Sequence, residues 1–430
     1  MDSVIPVMLL FITALLCLQE NIYGLVCFLA IRILVPETVR LFNGLISLNT
    51  GIILVICIVF CIKEKKIKYR KNDKFLLMLS LFSVYSIISL IISDYANFSA
   101  QLSYTIQFII TDILPPILAV LIIKSYDDVL LICKTLIVSI IVCGVYGCVS
   151  FVIGSNPYLD ALGVSLFEMG SSWRGADTSS TFASVNALGY FVSMSIPIVF
   201  FIDEKKLLNS KITKLSIFFV FILTVISKKR AAFVTVLFFV FMWWLFFPIT
   251  KKKIRILLTS IICCSIGITI VLNTPGLEIL ANFIRSSFFF WNDSMVISVS
   301  GGNVGSTFEM RIGQILYPFI EISNNFLFGH GKGWCAYYLS THPFHPIMFG
   351  FETITSRIIC EYGLVGIPLY TYVFINSYKY SEPKGEKSTN YSMLYVLTVL
   401  VMSIATGLDY YYLFFVYIVF MHKVLIFSRR

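Results

Sequence analysis

Apolar runs of about 20 residues, separated by short polar breaks, recur along almost the whole chain. At 1.5 Å per residue each run is long enough to cross a hydrocarbon core of about 30 Å, so the pattern predicts a polytopic α-helical membrane protein. Spans are expected at 4–20, 22–38, 43–62, 75–93, 101–123, 128–154, 181–202, 214–228, 231–249, 256–272, 351–378, 391–407 and 409–427. Arg32, Pro36, Glu37 and Arg40 interrupt the first region, which reads as two spans or as one span plus a re-entrant piece. The expected fold is all-α, with about 12–13 transmembrane helices. A hydrophilic stretch from Asn273 to Gly350 separates the tenth span from the eleventh. It divides the chain into an N-terminal bundle (1–272), a large loop (273–350) and C-terminal helices (351–430). No internal repeat stands out.

Composition agrees with this class. The chain is 58% hydrophobic and only 13% charged, against about 25% charged in soluble domains. Met1-Asp2 lacks a basic leader region, and no small-residue cleavage site follows the first apolar run, so no cleavable signal is expected. The net charge of +10 raises nucleic acid as a partner, but its placement argues for membrane topology instead. Basic residues cluster at 63–74, 203–214, 251–255 and 379–388, between spans. By the positive-inside rule these loops are cytoplasmic and face anionic membrane lipid. The segments 94–100, 155–180, 229–230 and 273–350 then fall on the opposite side, and the alternation closes.

Of the eleven cysteines, ten lie inside expected spans and only Cys335 lies in the long loop. No Cys/His ligand spacing occurs, so neither a disulfide framework nor a metal site is expected. The thiols read as small hydrophobes.

Three cationic features break the positive-inside pattern: Arg174, the tripeptide Lys228-Lys229-Arg230, and Arg311. Charge at membrane depth costs about 2.5–3.5 kcal/mol on insertion scales, so it tends to mark a site. Arg174 opens a turn running to Asn186, a polar residue at the mouth of an apolar span that is placed to orient the arginine. Guanidinium forks match phosphate oxygens and stay charged at any relevant pH. Several converging at the outer headgroup level suit a lipid-linked pyrophosphate and the charge that develops as it leaves.

The long loop adds His330, Lys332, Trp334, His342 and His345, with glycine turns at Gly329-His330-Gly331-Lys332-Gly333 and many aromatics. It reads as an ordered cap over a membrane site, its rings offering faces to sugars. Glu352, where the loop re-enters the membrane, is the leading general base, since a carboxylate at a dry boundary has a raised pKa. It equally fits an anion at a helix N-terminus, and His330, His342 and His345 compete for the base role. No nucleotide-binding loop or acidic metal cluster appears, so no cofactor and no metal are expected.

An ordered set of elements resembles the O-antigen polymerase and ligase superfamily of bacterial membrane glycosyltransferases. It comprises Arg174-Gly175 with Thr181-Phe182 and Asn186, then Ser227-Lys228-Lys229-Arg230-Ala231-Ala232, Arg311, Phe326-Leu327-Phe328-Gly329-His330-Gly331, and Glu352-Thr353 followed by Gly363-Leu364-Val365-Gly366. These span 174–366, close to half the chain. The resemblance implies a GT-C type architecture in the bacterial inner membrane, with the active site facing the periplasm. It also implies that Arg174, Arg230 and Arg311, with Lys229 beside them, bind the undecaprenyl pyrophosphate of a lipid-linked oligosaccharide. A chain-length regulator is the protein partner it implies. Ligases carry a histidine where this chain has Glu352-Thr353, a departure that favours the polymerases. The expected activity is metal-independent polymerisation of an O-antigen, capsule or exopolysaccharide. The alternatives are transfer of the glycan to lipid A core or protein, and flipping of a lipid-linked oligosaccharide. A transporter is expected to show repeats and helices broken near the midplane.

Overall fold

The computed structural model describes residues 4–41, 46–64, 73–92, 98–164, 179–248, 316–320, 325–341, 353–382, 390–406 and 411–427, with scattered positions in 254–285 and strands at 297–299 and 302–304. The chain is a mostly helical membrane protein. Among the described residues, five helices are long and apolar enough to span a bilayer: Lys74–Ile92, Phe98–Ile122, Tyr126–Ile153, Val185–Glu204 and Ile354–Ser381. Shorter apolar helices pack around them.

The helices in chain order are α1 (Val4–Gln19), α2 (Asn21–Leu34), α3 (Leu48–Lys63) and α4 (Lys74–Ile92). Then come α5 (Phe98–Phe108), a π segment (Ile109–Ile113), α6 (Leu114–Ile122), α7 (Tyr126–Ile153) and α8 (Pro157–Ala161). After these follow α9 (Val185–Glu204), α10 (Ser210–Ile226) and α11 (Arg230–Phe246). The last four are α12 (Trp334–Thr341), α13 (Ile354–Ser381), α14 (Asn390–Thr406) and α15 (Tyr411–Phe427). The first region holds two full helices that turn back on each other at Glu20, and a two-stranded hairpin, Arg40–Leu41 with Ile46–Ser47, leads into α3.

A helix that is apolar on every side must be enclosed or face lipid. The chain uses both solutions. α9 is buried along nearly its whole length, and Leu413 to Met421 of α15 are buried without exception. α7 instead exposes Val138, Val142, Val145, Val149 and Val152, one helical stripe that suits acyl chains.

The two ends of the bundle differ in chemistry. At one end Lys63 Nζ donates to the carbonyls of Cys17, Leu18 and Gln19 at 3.0–3.4 Å, and Lys423 Nζ to those of Val120 and Ile123 at 2.9 and 2.6 Å. Each lysine satisfies orphan carbonyls at a helix C-terminus, where a cation is also favoured by the dipole. The Lys124–Glu64 ion pair, the Phe75–Tyr380 stack and the Asn390 bond to the Phe246 carbonyl lie at this end too. The helix ends that border the lysine-rich segments gather here, as the charge pattern predicts.

Two of the long helices are irregular within their spans. The span expected at 101–123 is Phe98–Ile122; within it Pro115 and Pro116 remove two backbone donors, and the preceding turn widens into the π segment. In α13, Gly363 sits at φ +62°, ψ −157°, a conformation outside the helix. The groups that this break frees are matched by residues 326–331. Leu364 N and Val365 N donate to the Phe326 and Leu327 carbonyls at 3.1 Å each, and His330 N and Gly331 N donate to the Cys360 and Glu361 carbonyls at 2.8 and 2.9 Å. Every one of these pairings replaces a lost helical bond, as a buried backbone requires.

Two glycines permit the contact. A Cβ on Gly363 would lie 2.5 Å from the Leu327 carbonyl oxygen, and one on Gly329, at φ +70°, 2.5 Å from Gly363 N. Gly363→Ala is expected to destabilise the protein by about 1–3 kcal/mol from backbone strain alone. Thermal unfolding in detergent is the check, with Gly154→Ala, whose Cβ meets nothing within 4 Å, as the strain-only comparison. Equal losses in the two variants would show that the close approach to residues 327–329 contributes nothing.

Candidate functional site

Residues 325–333 are inserted between α4, α5 and α13. Gln101 Nε2 donates to the His330 carbonyl at 2.7 Å, and Lys332 N donates to Ser89 Oγ at 3.4 Å. Lys332 Nζ then meets Glu361 Oε2 at 3.0 Å, with side chains only 14% and 5% exposed, and lies 5.0 Å from the centre of the Phe108 ring. Glu361 Oε1 accepts from Gly333 N at 3.1 Å, so both carboxylate oxygens are engaged. His330 stacks on Trp334 at 4.6 Å, and Trp334 on Tyr338 at 4.7 Å, forming a three-ring ladder along α12. Burial pushes the Cys335 thiol well above its usual range, which disfavours the thiolate.

Beside this insertion is a cavity of about 480 Å³. Arg32, Arg40, Lys332 and Arg357 line it, opposed by Glu37, Asp112 and Glu361, with Ser47, Asn49, Gln107 and Thr111 between them. Asp112 stands on the π segment, where the Thr111 hydroxyl donates to its Oδ2 at 2.7 Å. Thr38 Oγ1 and Asn49 Oδ1 also border the cavity, buried and without a hydrogen-bond partner among the described residues. Buried polar atoms normally find partners, so these two offer sites to a polar guest. The cavity therefore combines charge of both signs with spare hydrogen-bonding capacity, inside an apolar bundle where each charge is costly.

The tripeptide Lys228-Lys229-Arg230 lies at the same end, in a separate place. Lys228 is left-handed at φ +47° and packs its ammonium 5.5 Å from the Phe151 ring centre. Lys228 and Lys229 are both buried, and Arg230 is the first residue of α11. Cations at a helix N-terminus oppose its dipole, and an anion seated there would offset both. Asn186, in the first turn of α9, is exposed. Thr181 Oγ1 bonds the Ile33 carbonyl at 2.8 Å and Tyr158 Oη the Leu34 carbonyl at 2.7 Å. The last residues of α2 thereby stand next to the 179–182 turn, while Arg32 reaches the cavity.

Of the residues singled out in the sequence, Lys332 lines the cavity, and His330 and Trp334 flank it in the ladder. Lys229, Arg230 and Asn186 lie outside its lining. Arg174, Arg311, His342, His345 and Glu352 fall outside the described residues, as do most of the span expected at 256–272 and most of the 273–350 segment. Sequence reasoning passed over Glu361, Arg357 and Asp112 as site residues and took Arg32, Glu37 and Arg40 only as interruptions. The available signal was an ionisable residue inside an apolar span, which Asp112 and Glu361 both are. No protein-family model and no curated protein matches this chain.

Proposed function

We propose that the chain is a polysaccharide polymerase of the bacterial cytoplasmic membrane, working at the face opposite its basic loops, which would be the periplasmic face. In this reading 12–13 spans carry one large periplasmic loop in a GT-C type arrangement. The single observation that carries it is the charged cavity bounded by Arg32, Arg40, Arg357 and the Lys332–Glu361 pair, with the His330–Trp334–Tyr338 ladder alongside. Arginine forks fit a pyrophosphate leaving group, and aromatic faces fit sugar rings.

The reaction joins a growing glycan on undecaprenyl pyrophosphate to a lipid-linked repeat unit. The acceptor hydroxyl oxygen forms a bond to the anomeric carbon, and the bond from that carbon to the pyrophosphate oxygen breaks. The hydroxyl proton passes to a carboxylate or imidazole, with Glu352 and the loop histidines the sequence candidates. Undecaprenyl pyrophosphate departs with the electron pair, its charge stabilised by the arginines, including Arg174, Arg230 and Arg311 as the resemblance implies. Glu361 is held by Lys332 Nζ and Gly333 N, which suits it to a positioning role.

The breaks at Gly363 and at the π segment favour a second reading, passage of a lipid-linked oligosaccharide, because broken helices often frame transport sites. Purified protein supplied with its lipid-linked repeat unit, with and without chelator, separates the readings. A chelator-resistant ladder of lipid-linked products is the expected result. One transfer to an added core acceptor without a ladder would make the chain a ligase. Translocation of the lipid across vesicles with no transfer would sink the polymerase.

A further inference from the structure

At the end of the bundle opposite the basic loops, two free thiols from different elements are neighbours. Cys335 lies in the first turn of α12, and Cys360 lies in α13 just before Glu361. Both are buried in one small apolar cluster with Trp334, Tyr338 and Ile359. The backbone brings them together. His330 N donates to the Cys360 carbonyl at 2.8 Å, and Trp334 N donates to the Gly331 carbonyl at 3.2 Å. Between these bonds the chain turns through Gly331 and Gly333, both left-handed at φ +87° and +89°, and the Cys335 thiol comes within hydrogen-bonding reach of the Cys360 thiol. Cys17, Cys57 and Cys61 belong to the other, basic end, where Lys63 Nζ bonds the Cys17 carbonyl at 3.4 Å. Disulfides persist outside the cytoplasm and are rare within it, so the thiols at the two ends have opposite expected fates.

We propose that Cys335 and Cys360 form a disulfide that staples α12 to α13. The proposal rests on the reading of this face as periplasmic and is independent of the reaction the chain performs. The oxidant is a protein or small-molecule disulfide of that compartment. One cysteine thiolate attacks a sulfur of the oxidant, forming a mixed disulfide and releasing one thiol. The second cysteine then attacks the first and releases the other thiol. Two protein thiols are thereby oxidised, and their two electrons and two protons leave with the oxidant as a dithiol. Burial disfavours the attacking thiolate, so exchange precedes the packing of α12 on α13, and the folded protein then shields the bond. The bond keeps Lys332 and Gly333 beside Glu361 and fixes the cavity wall to which Cys335 and Ala336 belong. By closing a ring from 335 to 360 it also limits the freedom of the unfolded chain.

The test uses full-length protein in the membranes of growing cells, quenched in acid and alkylated with a maleimide under denaturing conditions without reductant. Peptides are then identified by mass spectrometry. The expected product is a linked pair of peptides containing Cys335 and Cys360, free of maleimide, with Cys17, Cys57 and Cys61 recovered as alkylated thiols. Dithiothreitol is expected to leave the link intact in folded protein and to remove it after denaturation in dodecyl sulfate. Cys335→Ala and Cys360→Ala are each expected to lower the thermal midpoint by at least about 3 °C. The double variant should fall no further than either alone, because all three lose the same bond. Losses that add would show packing of two thiols and overturn the proposal. Both peptides recovered as alkylated thiols, with exposed Cys61 protected from an impermeant maleimide in intact cells, would overturn the link and leave the sidedness standing. Labelling of Cys61 by that reagent in intact cells would reverse the sidedness and bring down the link with it.

Discussion

Lys332→Met is expected to cost the folded protein about 3–5 kcal/mol, because it leaves the buried Glu361 carboxylate without its counter-charge. The side chain of Glu361 is 5% exposed and that of Lys332 14%, so bulk water solvates neither well. Glu361 would keep only the Gly333 amide at 3.1 Å among its hydrogen bonds described here. Glu361→Gln is expected to cost less. The glutamine still accepts from Gly333, and the freed ammonium keeps the Phe108 ring at 5.0 Å and can turn into the cavity. The double variant Lys332→Met/Glu361→Gln should lose less than the sum of the single losses, since no unpaired charge remains. Thermal unfolding of detergent-solubilised protein measures all three. Wild-type stability in Lys332→Met would mean that the pair does not hold residues 325–333 in the bundle.

The largest kinetic effect is expected at Arg357. It lies in the first turn of α13, one turn before Glu361, and lines the cavity. If it stabilises the departing pyrophosphate, Arg357→Ala should reduce the turnover rate of chain extension about 10²–10³-fold, the usual effect of removing one preorganised donor from a transition-state charge. Arg357→Lys should restore only part of it, because an ammonium keeps the charge and loses the two-pronged fit. KM should move less than kcat, since the charge peaks in the transition state. Arg230→Ala provides the contrast. A far greater loss there than in Arg357→Ala would place the pyrophosphate at the α10–α11 turn and leave the cavity to the sugars. Turnover within threefold of wild type in both would remove the arginines from the reaction.

The helices were legible because their signals are local. The span expected at 128–154 is α7, Tyr126–Ile153, bounded by the Ser125–Asp128 capping box and by Gly154 at φ +73°. The span expected at 75–93 is Lys74–Ile92 and that at 409–427 is Tyr411–Phe427. The spans expected at 101–123 and 351–378 are Phe98–Ile122 and Ile354–Ser381, and the same local view did not show the irregular turn inside each. Hydropathy averages over the turn, so it does not register the two prolines behind the π segment or the backbone of Gly363. Gly363 appeared in the sequence only as one position of a motif, and its use became visible once residues 326–331 were seen bonded across the break.

The site was legible in kind and largely hidden in detail. Lys332, His330 and Trp334 were singled out from a charged, aromatic stretch in a membrane chain; Lys332 lines the cavity, and His330 and Trp334 stack beside it. The partner of Lys332 is Glu361, twenty-nine positions along the chain, and Arg32, Arg40 and Asp112 come from α2, the hairpin and the π segment, more than two hundred residues earlier. Length, hydropathy and the placement of basic loops determined by themselves that this is a helical membrane protein with one basic end. These properties act on each segment separately, through the cost of burying backbone and charge in hydrocarbon. Only the tertiary structure decided which charges share a cavity, which carboxylate is held by a lysine and where the helices break. Those contacts depend on how distant helices pack, and no window of the sequence contains both partners.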